Sequence, residues 1–109
     1  MTTQELVEKM GLKPLSKFAD RTISGVYISD MVSDVIANAK AGNLLVTVQV
    51  HANALAAANL VDICGIVVAQ GKKPTDDVIK MAVKAEISIF STALSRWQVA
   101  TKLYEAGLR

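Results

Sequence analysis

Thr47, Gln49 and His51 alternate along an otherwise apolar stretch, and Asn53 follows two positions later. In an extended chain alternate residues share a face, so this spacing turns one side of the stretch from Leu44 to Val50 polar toward its C-terminal end, leaving Leu44, Val46, Val48 and Val50 on the other. If the stretch is a strand of an open parallel sheet, that end is where loops and helix N-termini gather and where anions and nucleotides bind. Asp30 and Ser33, at the head of a helical pattern, would meet it there. The candidate ligand-binding set is therefore Asp30, Ser33, Thr47, Gln49, His51 and Asn53. The competing use of the same residues is structural: Gln49 and His51 bonded to backbone at a loop edge, with Asn53 capping the following helix. A carboxylate in the set would repel bare phosphate, so a nucleoside-like or metal-bridged ligand suits it better.

Other chemistries find less support. His51 is the only histidine and Cys64 the only cysteine, and Cys64 lies in an apolar stretch that reads as a buried thiol. No metal, cofactor or catalytic residue is expected. No G-x-S-x-G elbow marks a nucleophile. Gly71-Lys72 is followed by Lys73 rather than Ser or Thr and lacks the glycine five residues earlier that a phosphate-wrapping loop needs. Lys72-Lys73-Pro74 reads as a solvated turn. The cluster Ser29, Asp30, Ser33, Asp34 is accounted for by acidic preference in a first helical turn, with acid/base or magnesium chemistry as the alternative.

The elements that must position these residues follow from capping and periodicity. Thr2 and Glu5 stand at capping-box spacing and Gly11 can end the helix between them, about residues 3–10. Pro14 interrupts any helix in the next segment, where Thr22, Ile23, Val26 and Ile28 favour one or two short strands, with Gly25 as a bend. Ser29 or Asp30 can cap a helix carrying Met31, Val32, Val35, Ile36 and Ala39. Strands starting near residues 44, 66 and 87 are each followed by a helix, the last two opened by Thr75 and Thr92. Strand-helix units of that size predict right-handed crossovers and hence a compact α/β domain, a mostly parallel sheet with flanking helices, spanning residues 1–109 as one domain. Trp97 and Tyr104, in register with Leu94 and Ala100, predict core packing, with a protein interface as the alternative.

With 51% apolar and 20% charged residues the chain has ample surface to bury, and its net charge of +2 forms no basic stripe, so no nucleic-acid partner is expected. No uncharged apolar run reaches the length of a membrane span, and the polar N-terminus does not read as a secretory leader. A cytoplasmic location is expected, and a chain this small and apolar is expected to pair as a homodimer.

The segment Asp20-Arg21-Thr22-Ile23-Ser24-Gly25-Val26-Tyr27, with Ser29-Asp30-Met31-Val32-Ser33-Asp34-Val35 after it, resembles the signature region of the DRTGG domain family. The resemblance runs through Thr47-Val48-Gln49-Val50-His51-Ala52-Asn53 and Gly65-Ile66-Val67-Val68 to Ser91-Thr92, over roughly residues 18–107. Asp20, Arg21, Thr22 and Gly25 are kept as a structural motif, but a contiguous DRTGG string is not. The resemblance implies a fold similar to the N-terminal domain of HPr kinase/phosphorylase, without its kinase loop. It also implies a regulatory setting, beside nucleotide-sensing CBS domains or at dimer interfaces, or as a free-standing accessory to redox enzymes such as iron hydrogenases. It supplies no ligand and no catalytic residue. The function expected is a non-catalytic regulatory, ligand-binding and dimerisation module serving a partner enzyme, sensing a small anion or nucleotide. The alternatives are a purely structural interaction subunit and, behind it, an enzyme or phosphocarrier using His51.

Overall fold

The computed structural model describes residues 1–108. Its first helix forms where the capping signals stand: α1 (Thr3–Met10) is opened by a reciprocal bond pair between Thr2 and Glu5 and closed by Gly11 in the left-handed conformation. Then follow β1 (Lys13–Pro14), β2 (Gly25–Ile28), α2 (Val32–Asn38), β3 (Asn43–Thr47), α3 (Ala52–Val61), β4 (Gly65–Val68), α4 (Asp76–Lys84), β5 (Ile89–Ser91) and α5 (Arg96–Glu105). The sheet order is β1-β5-β4-β3-β2, with β2 to β5 parallel and β1 antiparallel to β5. Pro14 is tolerated because β1 is an edge strand, where no ladder donor is missed.

The four parallel strands lie in chain order, so successive crossovers of one hand must leave their helices on one face. Val35 of α2, Leu55, Ala57 and Ala58 of α3 and Ala82 of α4 pack there on Leu45, Ile66, Val68 and Ile89. On the opposite face Leu6 of α1 and Val99 and Leu103 of α5 meet Leu44, Val46, Val67 and Phe90. β4 is buried along its whole length, as a two-sided apolar central strand should be. Gly65 opens it with little room to spare: a Cβ there would lie 3.0 Å from the Phe90 ring. Cys64, 2% exposed, is a core thiol whose burial pushes its pKa up to about 11.

Five local expectations are corrected. The strand expected to run from Leu44 to Val50 ends at Thr47; Val48 still joins the α1/α5 core, but Val50 packs on the other side. Neither Ser29 nor Asp30 caps α2, whose cap position is Met31 without a side-chain bond, because Asp30 is engaged elsewhere. Thr92 does not open the last helix; Ser95 does, in a capping box with Gln98. Trp97 and Tyr104 are not core: they are 76% and 62% exposed, while Val99 and Leu103 supply the buried stripe of α5. Gly25 opens β2, paired with Asn43, rather than bending the chain.

Candidate functional site

The C-terminal ends of β2 and β3 stop within two residues of each other, which leaves the Val48 amide without a strand partner. Asp30 replaces the missing acceptor. Its Oδ1 accepts from the Val48 amide at 2.8 Å and from the Thr47 hydroxyl at 3.0 Å, and Thr47 Oγ1 in turn accepts from the Gln49 amide at 3.0 Å. Thr47 is 1% exposed, so its hydroxyl depends on these partners. The other carboxylate oxygen, Oδ2, forms an ion pair with Arg96 at the first position of α5. One side chain thus ties the ends of two strands to the start of a helix on the α1/α5 face.

The repulsion that a lone carboxylate would exert on an anion is met here by the Arg96 guanidinium. Sequence reading missed Arg96, though a signal was present. Ser95 and Gln98 place it in a first helical turn, where the dipole disfavours a cation and a partner carboxylate is needed to offset it. Next to this tie, Ser29, Asp30, Met31, Val32, Asp34 and Gln49 line a shallow groove of about 750 Å³. Beneath it lies a void of only about 10 Å³, room for roughly one water. Of the six candidate residues the fold brings together Asp30, Thr47 and Gln49. Ser33, His51 and Asn53 are exposed and outside this groove, and His51 occupies the cap position of α3 without a side-chain bond. Asp34 accepts from the Tyr27 hydroxyl and the Asn38 amide, both at 2.7 Å. The Ser29 hydroxyl above all, together with these two bonds, holds its carboxyl below the usual range. Among the described residues, no three His, Cys, Asp or Glu side chains gather to hold a metal ion, and no helix is long and apolar enough to cross a membrane.

The Asp20-Arg21-Thr22 segment is a strap across α1 and the start of β4. Asp20 Oδ1 accepts from the Gln4 amide at 3.0 Å and from the Thr3 hydroxyl at 3.3 Å, serving α1 as a second cap from 16 residues away. Arg21 donates to the Ile63 carbonyl at 3.1 Å and pairs with Asp62, and Thr22 bridges Thr2. The Gln4 amide above all holds the Asp20 carboxyl below its ordinary pKa, outweighing the rise from burial. The stabilisation is complete above the unfolded carboxyl's pKa, ~3.9, and disappears as pH falls from there through the depressed folded value. Asp20→Asn is therefore expected to flatten the acid limb of stability against pH, read as urea midpoints between about pH 5 and pH 3, and a limb as steep as that of the parent protein would show that Asp20 does not drive it.

A search of curated proteins finds no match. Among solved structures, the fold is similar, with a TM-score of 0.71 at 13% identity, to the CBS and DRTGG domains of the regulatory region of Clostridium perfringens pyrophosphatase, complexed with its activator diadenosine tetraphosphate. The match covers 94% of this chain and 45% of that one, so this chain spans less than half of its neighbour. A family model described as the DRTGG domain matches residues 5–106, nearly the whole sequence, and with the strap at Asp20-Arg21-Thr22 in place the chain belongs to the DRTGG domain family.

Proposed function

We propose that this chain is a non-catalytic regulatory module that pairs as a homodimer, senses a small nucleoside-like ligand and passes its occupancy to a partner enzyme. The observation that carries this is the Asp30–Arg96 pair. It joins the groove beside Gln49 to the first turn of α5, whose outer face carries exposed Trp97 one residue further on. A ligand that meets Asp30 or Gln49 therefore presses on the helix best placed to contact a second copy. The setting of the similar pyrophosphatase region, regulatory and bound to a nucleotide activator, supports the same reading. Ser33, His51 and Asn53 would contribute only to a ligand reaching beyond the groove. The groove is shallow, which favours weak, reversible sensing over tight capture.

The second reading, an interaction subunit without ligand, is favoured by the same α5 stripe taken alone. Titration of isotope-labelled protein with adenosine and adenine nucleotides, with and without magnesium, separates the two. Amide shifts across Ser29–Asp34 and Val48–Gln49 are expected, with smaller shifts in the first turn of α5. Their absence at ~1 mM ligand, far above working affinities, would leave the interaction subunit.

A further inference from the structure

A second groove opens at the same edge of the sheet, beyond the ends of β4 and β5, with a volume of about 520 Å³. Lys13, Lys72, Lys73 and Lys102 all line it, and among the described residues no carboxylate does. A third of the chain's 12 Lys and Arg residues are thus collected at one place from three distant parts of the sequence. Among the described residues the ion pairs are Arg21–Asp62 and Arg96–Asp30, so none of the four lysines is neutralised by a carboxylate partner.

Helix electrostatics favours Lys102, in the last turn of α5, but not the pair beside α4. Lys72 and Lys73 come just before Thr75, the cap of α4, at the positive end of that helix, where cations are disfavoured. The turn that carries them is fixed. Gln70 and Gly71 are both left-handed, with φ 62° and 67°, and the Lys72 amide closes the turn on the Ala69 carbonyl at 3.2 Å. The Gln70 and Gly71 amides donate to the Leu94 and Thr92 carbonyls at 2.8 and 2.9 Å. The amides of Gln70, Gly71 and Lys72 are therefore spent, and what the groove offers a ligand is chiefly ammonium groups together with the hydroxyls of Ser91 and Thr92. Thr92 Oγ1 accepts from the Leu94 amide, which leaves its O–H to donate.

We infer that this groove binds a small oligophosphate, a compact anion of several phosphoryl groups, through Lys13, Lys72, Lys73 and Lys102. Lysines act as mobile point charges that suit phosphoryl oxygens, and four of them converging call for more charge than a single phosphate carries. The volume is that of a small-molecule site, within the ~300–1,000 Å³ such sites occupy, and the basic residues form a closed cluster rather than the long stripe that tracks a nucleic-acid backbone. This inference is independent of the ligand proposed for the Asp30 groove and would hold if that groove bound nothing.

The test is titration of isotope-labelled protein at low salt with inorganic tripolyphosphate, which has no nucleoside to engage the other groove. Saturable shifts are expected at Gly71–Lys73, at Ser91 and Thr92 and at Lys102. The double variant Lys72→Ala, Lys73→Ala, altering exposed turn residues, should keep the parent's thermal midpoint and bind at least ~10-fold more weakly. The charge-matched double variant Lys80→Ala, Lys84→Ala on exposed positions of α4 should bind like the parent protein. Equal weakening by both double variants would mean diffuse attraction and overturn the site, as would shifts confined to Ser29–Asp34 or no saturable shift at all. Tighter binding of a single-stranded oligonucleotide than of tripolyphosphate at these residues would overturn the small-ligand assignment.

Discussion

Asp30→Ala is expected to destabilise the fold by about 2–3 kcal/mol, a fall of roughly 10 °C in Tm for a domain of this size. The carboxylate is the acceptor for the Val48 amide and for the hydroxyl of Thr47, which is 1% exposed, so truncation leaves buried donors unmet. It also strands Arg96. The variants around it should rank by burial. Asp30→Asn keeps an acceptor for the strand end and should lose about half as much, whereas Arg96→Ala, which removes a side chain 41% exposed, should cost less than ~1 kcal/mol. Urea unfolding of the three variants checks the order. If Arg96→Ala proved as damaging as Asp30→Ala, the ion pair rather than the strand-end bonds would be holding this edge together.

Trp97→Asp is expected to convert the proposed dimer to monomer, weakening association at least ~30-fold while leaving thermal stability of the monomer within ~0.5 kcal/mol of the parent. Trp97 is 76% exposed, so its removal opens no core cavity; the core contacts of α5 are made by Val99 and Leu103 on the other side. Together with Ala100, Thr101 and Tyr104 it frames an open apolar groove of about 400 Å³ along the outer face of the helix. Large amphipathic rings of this kind form the energetic centre of protein interfaces, and an aspartate there would be buried without a partner on association. Sedimentation of parent and variant at tens of micromolar gives the answer. A parent that is monomeric, or a variant that dimerises as well as the parent, removes α5 as the assembly face.

What the sequence determined by itself is what neighbouring residues decide among themselves. The Thr2–Glu5 capping box and left-handed Gly11 bound α1, the alternation of short apolar strands with helical patterns implied parallel crossovers, and the unbroken apolar run of β4 implied burial on both faces. Each is a matter of hydrogen bonds and periodicities within a turn or two, so the information is local. The end of β3 was not legible, because alternation from Leu44 to Val50 continues in the sequence after the ladder stops. Only the position of Asp30, 18 residues away, takes the Val48 amide out of the strand pattern. The Asp30–Arg96 pair joins residues 66 apart, and four lysines become one groove only because β1, the β4–α4 turn and α5 meet at one edge. Likewise α5 shows apolar residues around much of its circumference, and which of them faced inward depended on how the helix lay across the sheet. The tertiary structure decided these points because a side chain's partners across the fold are set by strand order and helix placement, and those are properties of the whole chain's burial rather than of any short segment.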